Sequence, residues 1–178
     1  MTYYGSNELA RSFRTVRRNT IITAEEIPEA QYGFRPSPDS RSVGEVLAHI
    51  AVTSQSSFDT HAVRKLATFA GVDFPALAKA RGERERQLTT RADILAALKG
   101  SEETWGRFLD RVTEDDLSVQ VTYPEPMEPR SKSRFELILA VKEHEMHHRA
   151  QLMVMQRMLG LVPHLTRERQ ARMGPAAR

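Results

Sequence analysis

The 178 residues suit one compact domain, and a content that is 40% hydrophobic and 28% charged supplies a core and excludes an intrinsically disordered chain. With no cysteine, the chain has no disulfide framework, thiolate zinc site, iron–sulfur cluster or cysteine nucleophile; a metal must use nitrogen and oxygen, and any thiol must come from outside. The net charge is only +3, and the sequence carries neither a basic-then-apolar leader nor an apolar run that spans a bilayer, so a cytoplasmic protein is expected.

Leu9, Phe13, Val16 and Thr20 recur at steps of three and four and predict a first helix from about Asn7 to Ile22. Pro28, Pro36 and Pro38 enforce a long connection. Ser42 followed by Glu45 is a capping box, which starts a second helix with Val46, Ile50, Thr53 and Ser57 inward. Its pattern continues, with a break, to Phe69 before Gly71. Residues 72–89 weaken to a short helical turn begun at Pro75 and a charged stretch, Arg81-Gly-Glu-Arg-Glu-Arg, read as a solvated connection. A third helix runs from about Arg91 to Val112, with Ile94, Leu98, Trp105, Phe108 and Val112 on one side. Val119 and Val121 alternate with polar neighbours and allow at most a short hairpin. Ser133 with Glu136 repeats the capping box, and the fourth helix meets neither proline nor glycine before Gly160. After Pro163 the chain is polar and basic and is expected to fray. The result is an all-α protein, a four-helix bundle over residues 1–162 with long connections, a short extra helical turn between the second and third helices, and a tail over 163–178.

The inner stripe of the fourth helix reads Leu137, Val141, His144, His148, Leu152, Met155 and Leu159. Two imidazoles four residues apart stack on one face and can converge on one ion, although the spacing alone is a weak motif. His49 sharpens it, because it lies between Val46 and Ile50 on the inward side of the second helix. Three unpartnered imidazoles in a core would each cost about 1–3 kcal/mol, whereas one divalent cation satisfies all three. Three neutral ligands leave a coordination position open, as catalysis requires. Glu145, one step off this face, is the candidate base or orienting acceptor; Gln151 also falls nearby.

His144-Glu145-Met146-His147-His148 also fits the H-E-x-x-H pattern of zinc peptidases. Against that reading, positions 151 and 154 are Gln and Val, which leaves Glu168 as third ligand, and no convincing strand is present to align a peptide. Arg11, Arg14, Arg17 and Arg18 with the basic tail raise nucleic-acid binding, but they lack interleaved aromatics and read as a solvated helix face.

Arg41-Ser-Val-Gly-Glu-Val-Leu-Ala-His49-Ile and His144-Glu-Met-His-His148-Arg-Ala-Gln-Leu, followed by Leu159-Gly160, resemble the DinB-like (DinB/YfiT) family of metal-binding four-helix bundles over most of the chain. Carried over position by position, the family's metal ligands fall on His49, His144 and His148; Ala150 stands where relatives often have glycine. The resemblance implies a divalent metal (zinc or nickel ahead of iron), a homodimer, and a small-molecule substrate. It also implies either a metal-dependent thiol transferase, with a low-molecular-weight thiol as cosubstrate, or a hydrolase. A non-catalytic metal- or ligand-binding bundle is the alternative, and fold likeness does not choose among these.

Overall fold

A computed structural model describes residues 4–174. Seven α-helices occur among them: α1 (Ser6–Glu26), α2 (Val43–Phe58), α3 (Phe74–Gln87), α4 (Arg91–Leu109), α5 (Glu114–Ser118), α6 (Arg134–Met158) and α7 (His164–Met173). Strands β1 (Gln120–Thr122) and β2 (Ser131–Ser133) form the expected short hairpin, antiparallel with Val121 opposite Lys132. The bundle is α1, α2, α4 and α6; α1 and α2 each pack on both α4 and α6, so the first two helices lie on a diagonal. The long connection from residue 27 to 42 makes that diagonal crossing geometrically accessible.

Both capping boxes form. Ser42 Oγ accepts from Glu45 N at 3.2 Å while Glu45 Oε2 accepts from Ser42 N at 2.9 Å. Ser133 and Glu136 reciprocate in the same way at 3.2 and 2.7 Å. α6 ends in a Schellman motif: Gly160 adopts φ 77°, its N–H donates to Arg157 O, and Leu161 N–H donates to Gln156 O at 2.8 Å.

Three segments differ from the sequence-based expectation. Residues 74–87 form a full helix rather than one turn and a solvated connection. Asp73 caps it through Ala76 N at 2.9 Å, and none of its residues is buried, so no apolar stripe announces it. α2 passes into a π-helical turn over Asp59–Val63 and does not reach Phe69. Arg134, 3% exposed, pins the chain at and beyond that turn by donating to the carbonyls of His61, Lys65 and Leu66, and it also donates to Asp116 O. Of the tail expected to fray, residues 164–173 are helical, tied back by Arg157 to Thr166 Oγ1 at 2.9 Å and by Arg167 to Glu26, and residues 175–178 lie outside the described residues.

The core has two apolar clusters. One contains Ile21, Ile27, Leu47, Ile50, Ile94, Leu98 and Leu152; the other contains Leu9, Phe13, Trp105, Leu109 and Ile138. Along α1, α4 and α6 a buried polar residue lies between the two clusters: Arg17, Ser101 and Glu145. Arg17 is fully buried, and both its Nε and one terminal nitrogen donate to Glu145 at 2.8–3.1 Å, while the other reaches Leu98 O and Ser101 Oγ. Arg149 joins this belt through Val16 O at 3.0 Å. The arginine patch of the first helix is thereby largely neutralised. Arg17 is internal, Arg14 pairs with Asp110 at 2.5 Å and Arg11 pairs with Glu8 at 3.1 Å, which leaves Arg18 as its exposed cation without a carboxylate partner among the described residues.

Candidate metal centre

α2 and α6 bring His49, His144 and His148 together, with one ring nitrogen from each lying within 4.8 Å of the others. His144 Nε2 sits 3.2 Å from His49 Nε2 and 3.2 Å from His148 Nε2. Three nitrogens bound to one zinc-sized ion at tetrahedral angles are separated by about 3.3 Å when each bond is about 2.0–2.1 Å. The spacing therefore suits a single shared ion.

The opposite faces of two rings decide where their protons go. Glu85 Oε1, from α3, lies 2.8 Å from His49 Nδ1; a carboxylate only accepts, so the ring proton sits on Nδ1 and the Nε2 lone pair faces inward. The Gln151 amide oxygen lies 2.8 Å from His148 Nδ1 and fixes the same tautomer there. The Gln151 amide nitrogen in turn donates to His147 Nε2 at 3.2 Å, which orients the amide. Two inward lone pairs flank His144 Nε2, which can donate at most one proton, so the trio without an ion is one hydrogen bond short. A cation removes that deficit.

Electrostatics work in the same direction. Burial, then the nearby His148 and His49, push His144 down to about 4. Burial likewise lowers His148, opposed by its bond to Gln151, with smaller contributions from His49, His147 and Arg41. Both rings are neutral at pH 7, the form that ligates.

The other expected residues fall elsewhere. Glu145 is 2% exposed and turns both carboxylate oxygens to Arg17, so it occupies an internal ion pair instead of the place of a base or orienting acceptor beside the histidines. That also removes the general base from the H-E-x-x-H reading. Glu168 lies on α7, half exposed, 3.6 Å from Arg172, and does not join the histidine group. Gln151, named only for its proximity in sequence, touches His148 directly. Glu85 escapes sequence reasoning altogether because it belongs to the helix that reads as a connection. The signal available is Asp73 followed by Pro75, a helix start with no proline over the following twelve residues.

Two cavities open beside the centre. One of about 710 Å³ is lined by Pro36, Arg41, Val46, His148, Val154 and Met155, among others. The second, about 530 Å³, includes Arg41, Ala48, Glu85 and Arg86. No helix among the described residues is long and apolar enough to cross a membrane.

Comparison with known proteins agrees with this architecture. YjoA of Bacillus subtilis, an uncharacterized protein, is 28% identical over 155 residues, covering 87% of this chain and 91% of its own. Its crystal structure superposes with a TM-score of 0.60 at 22% identity, over 86% of this chain and 92% of that one. YfiT from Bacillus subtilis, described as a probable metal-dependent hydrolase with an unusual four-helix bundle topology, gives 0.67 at 16% identity over 90% and 91%. A mycothiol-dependent maleylpyruvate isomerase gives 0.65 at 14% identity over 85% of this chain and 63% of that one. The DinB superfamily profile matches residues 12–152, most of the bundle and both histidine-bearing helices, and the chain belongs to that superfamily.

Proposed function

We propose that the chain holds one divalent metal ion, zinc or nickel ahead of iron, on His49, His144 and His148, and acts with it on a small molecule, thiol transfer ahead of hydrolysis. The observation that carries this reading is the convergence of three ring nitrogens, two with their protons drawn to the far side of the ring by Glu85 and Gln151. An ion bound there would supply Lewis acidity, bringing a water or an incoming thiol toward deprotonation near neutral pH. The chain's own residues do the positioning. Glu85 and Gln151 orient two rings, and the Arg17–Glu145 pair fixes α6 against α1 within one residue of His144. Pro36, Val46, Val154 and Met155 form an apolar wall for the substrate body beside His148. Because the chain has no cysteine, a sulfur nucleophile would arrive as cosubstrate. The descriptions of YfiT as a probable metal-dependent hydrolase and of the isomerase as mycothiol-dependent support these two reaction classes on this fold.

We also infer a homodimer. Met146, Ala150, Val154 and Met158 form an exposed apolar ridge at four-residue steps along α6, with Val154 and Met158 more than half exposed.

The test is mass-spectrometric turnover by zinc- and nickel-loaded protein against panels of low-molecular-weight thiols with electrophiles, and of esters and amides. The expected result is product in one panel that disappears in His144→Ala. Silence in both panels with stoichiometric metal bound would make the chain a non-catalytic binder.

A further inference from the structure

Arg41 occupies a singular position. It lines both cavities beside the histidines. It is exposed, and among the described residues it takes part in no ion pair. The acids around it are already engaged: Glu45 pairs with Arg35 at 2.5 Å and caps α2, and Glu85 holds His49. Asp39, on the wall of the larger cavity, accepts from Ser37 Oγ at 2.7 Å.

The backbone that carries Arg41 is held on both sides. Arg35 donates to Ser40 O at 2.6 Å, and Ser42 N–H is bound by Glu45. Just beyond, Val43 N–H donates to Phe34 O at 3.0 Å and Gly44 N–H donates to Tyr32 O at 2.9 Å. A Cβ at position 44 would come within 3.3 Å of that same carbonyl, a tight approach that glycine relieves. The guanidinium thus projects from a fixed loop beside the metal centre, and little backbone ordering would remain to be done on binding.

We propose that Arg41 is the anchor for a carboxylate on the substrate, so that the molecule handled here is a small carboxylic acid with an apolar body. The proposal rests on the metal reading above. Three neutral imidazoles leave an ion's charge uncompensated, and Arg41 adds a second positive centre, so the approach to the site selects anions. The guanidinium fork matches a carboxylate with two parallel hydrogen bonds. Pro36, Val46, Val154 and Met155 form the apolar part of the larger cavity's wall and fit a hydrocarbon body, while Ser40, His148 and Gln151 line the polar part. Asp39 on the same wall opposes a doubly charged phosphate more than a single carboxylate.

The test is calorimetric titration of zinc-loaded protein with hexanoate, with its neutral analogue hexanamide and with inorganic phosphate, on the parent chain and on Arg41→Met. Zinc stoichiometry and melting temperature are measured alongside. The expected results are that hexanoate binds at least about tenfold more tightly than hexanamide or phosphate, and that Arg41→Met loses about tenfold for hexanoate while keeping its zinc and its melting temperature. Three outcomes overturn the inference alone: zinc-loaded parent that does not distinguish hexanoate from hexanamide, phosphate binding more tightly than hexanoate, or Arg41→Met binding hexanoate as the parent does. A parent that takes up no zinc overturns the metal reading, and the inference with it.

Discussion

Replacing Glu145 with Met separates a positioning role from a catalytic one. Arg17 is fully buried and Glu145 is 2% exposed, and three contacts of 2.8–3.1 Å join them. Without the carboxylate, the guanidinium keeps Leu98 O and Ser101 Oγ but has no counter-charge and no route to water. Removing one partner of such a pair costs about 3–5 kcal/mol. For a chain of this size each kcal/mol moves the melting temperature by about 2–4 °C, so Glu145→Met should melt about 6–20 °C lower. The double variant Arg17→Met/Glu145→Met should recover most of that loss, because nothing charged is then stranded. Differential scanning calorimetry with metal analysis of each variant checks both statements, and the folded single variant should still bind one metal ion. A melting temperature within 2 °C of the parent (about 1 kcal/mol or less by the same conversion) would refute the assignment of Glu145 to structure.

Three further outcomes are expected. Glu85→Ala frees the His49 ring and should weaken zinc binding about 10–100-fold in competition with a chromophoric chelator; unchanged affinity would remove Glu85 from the site. His61, 6% exposed, is pushed down to about 4 by burial first and by Arg134 second. The unfolded chain takes up this proton near pH 6.5 and the folded one only near 4. The stability His61 contributes is therefore intact above about 6.5 and is lost as pH falls toward about 4, by up to about 3 kcal/mol. Urea melts at pH 7.5 and pH 4.5 should show a smaller decline for His61→Phe than for the parent, and equal declines would contradict the assignment. Met158→Asp puts a charge on the exposed ridge of α6 and should shift the proposed dimer to monomer in sedimentation; a parent that sediments as a monomer, or a variant dimer that is unaltered, would contradict the ridge as the interface.

The parts of the fold that are readable from sequence are those with an apolar period or a cap. Ser42/Glu45 and Ser133/Glu136 set the starts of α2 and α6, and Gly160 sets the end of α6, because each supplies a specific partner for an orphan backbone group. His49, His144 and His148 are legible for the same reason, as polar residues on otherwise apolar stripes. α3 is not, since a helix that buries nothing leaves no period to detect, and Glu85 is hidden with it. In sequence Arg17 groups with Arg11, Arg14 and Arg18 as a solvated face. Yet it sits four residues from both Phe13 and Ile21, which places it on the inward stripe. Its partner Glu145 lies 128 positions away, and no local pattern reports a pairing that only the bundle creates.

X-ray absorption at the metal edge, on zinc-reconstituted protein dialysed to equilibrium and on His49→Ala treated in the same way, tests the centre most directly. The account predicts one zinc per chain in the parent, with three imidazole nitrogens at about 2.0–2.1 Å, and loss of stoichiometric zinc in the variant. A parent that retains no zinc, or a variant that keeps it with unchanged coordination, would contradict a centre shared between α2 and α6.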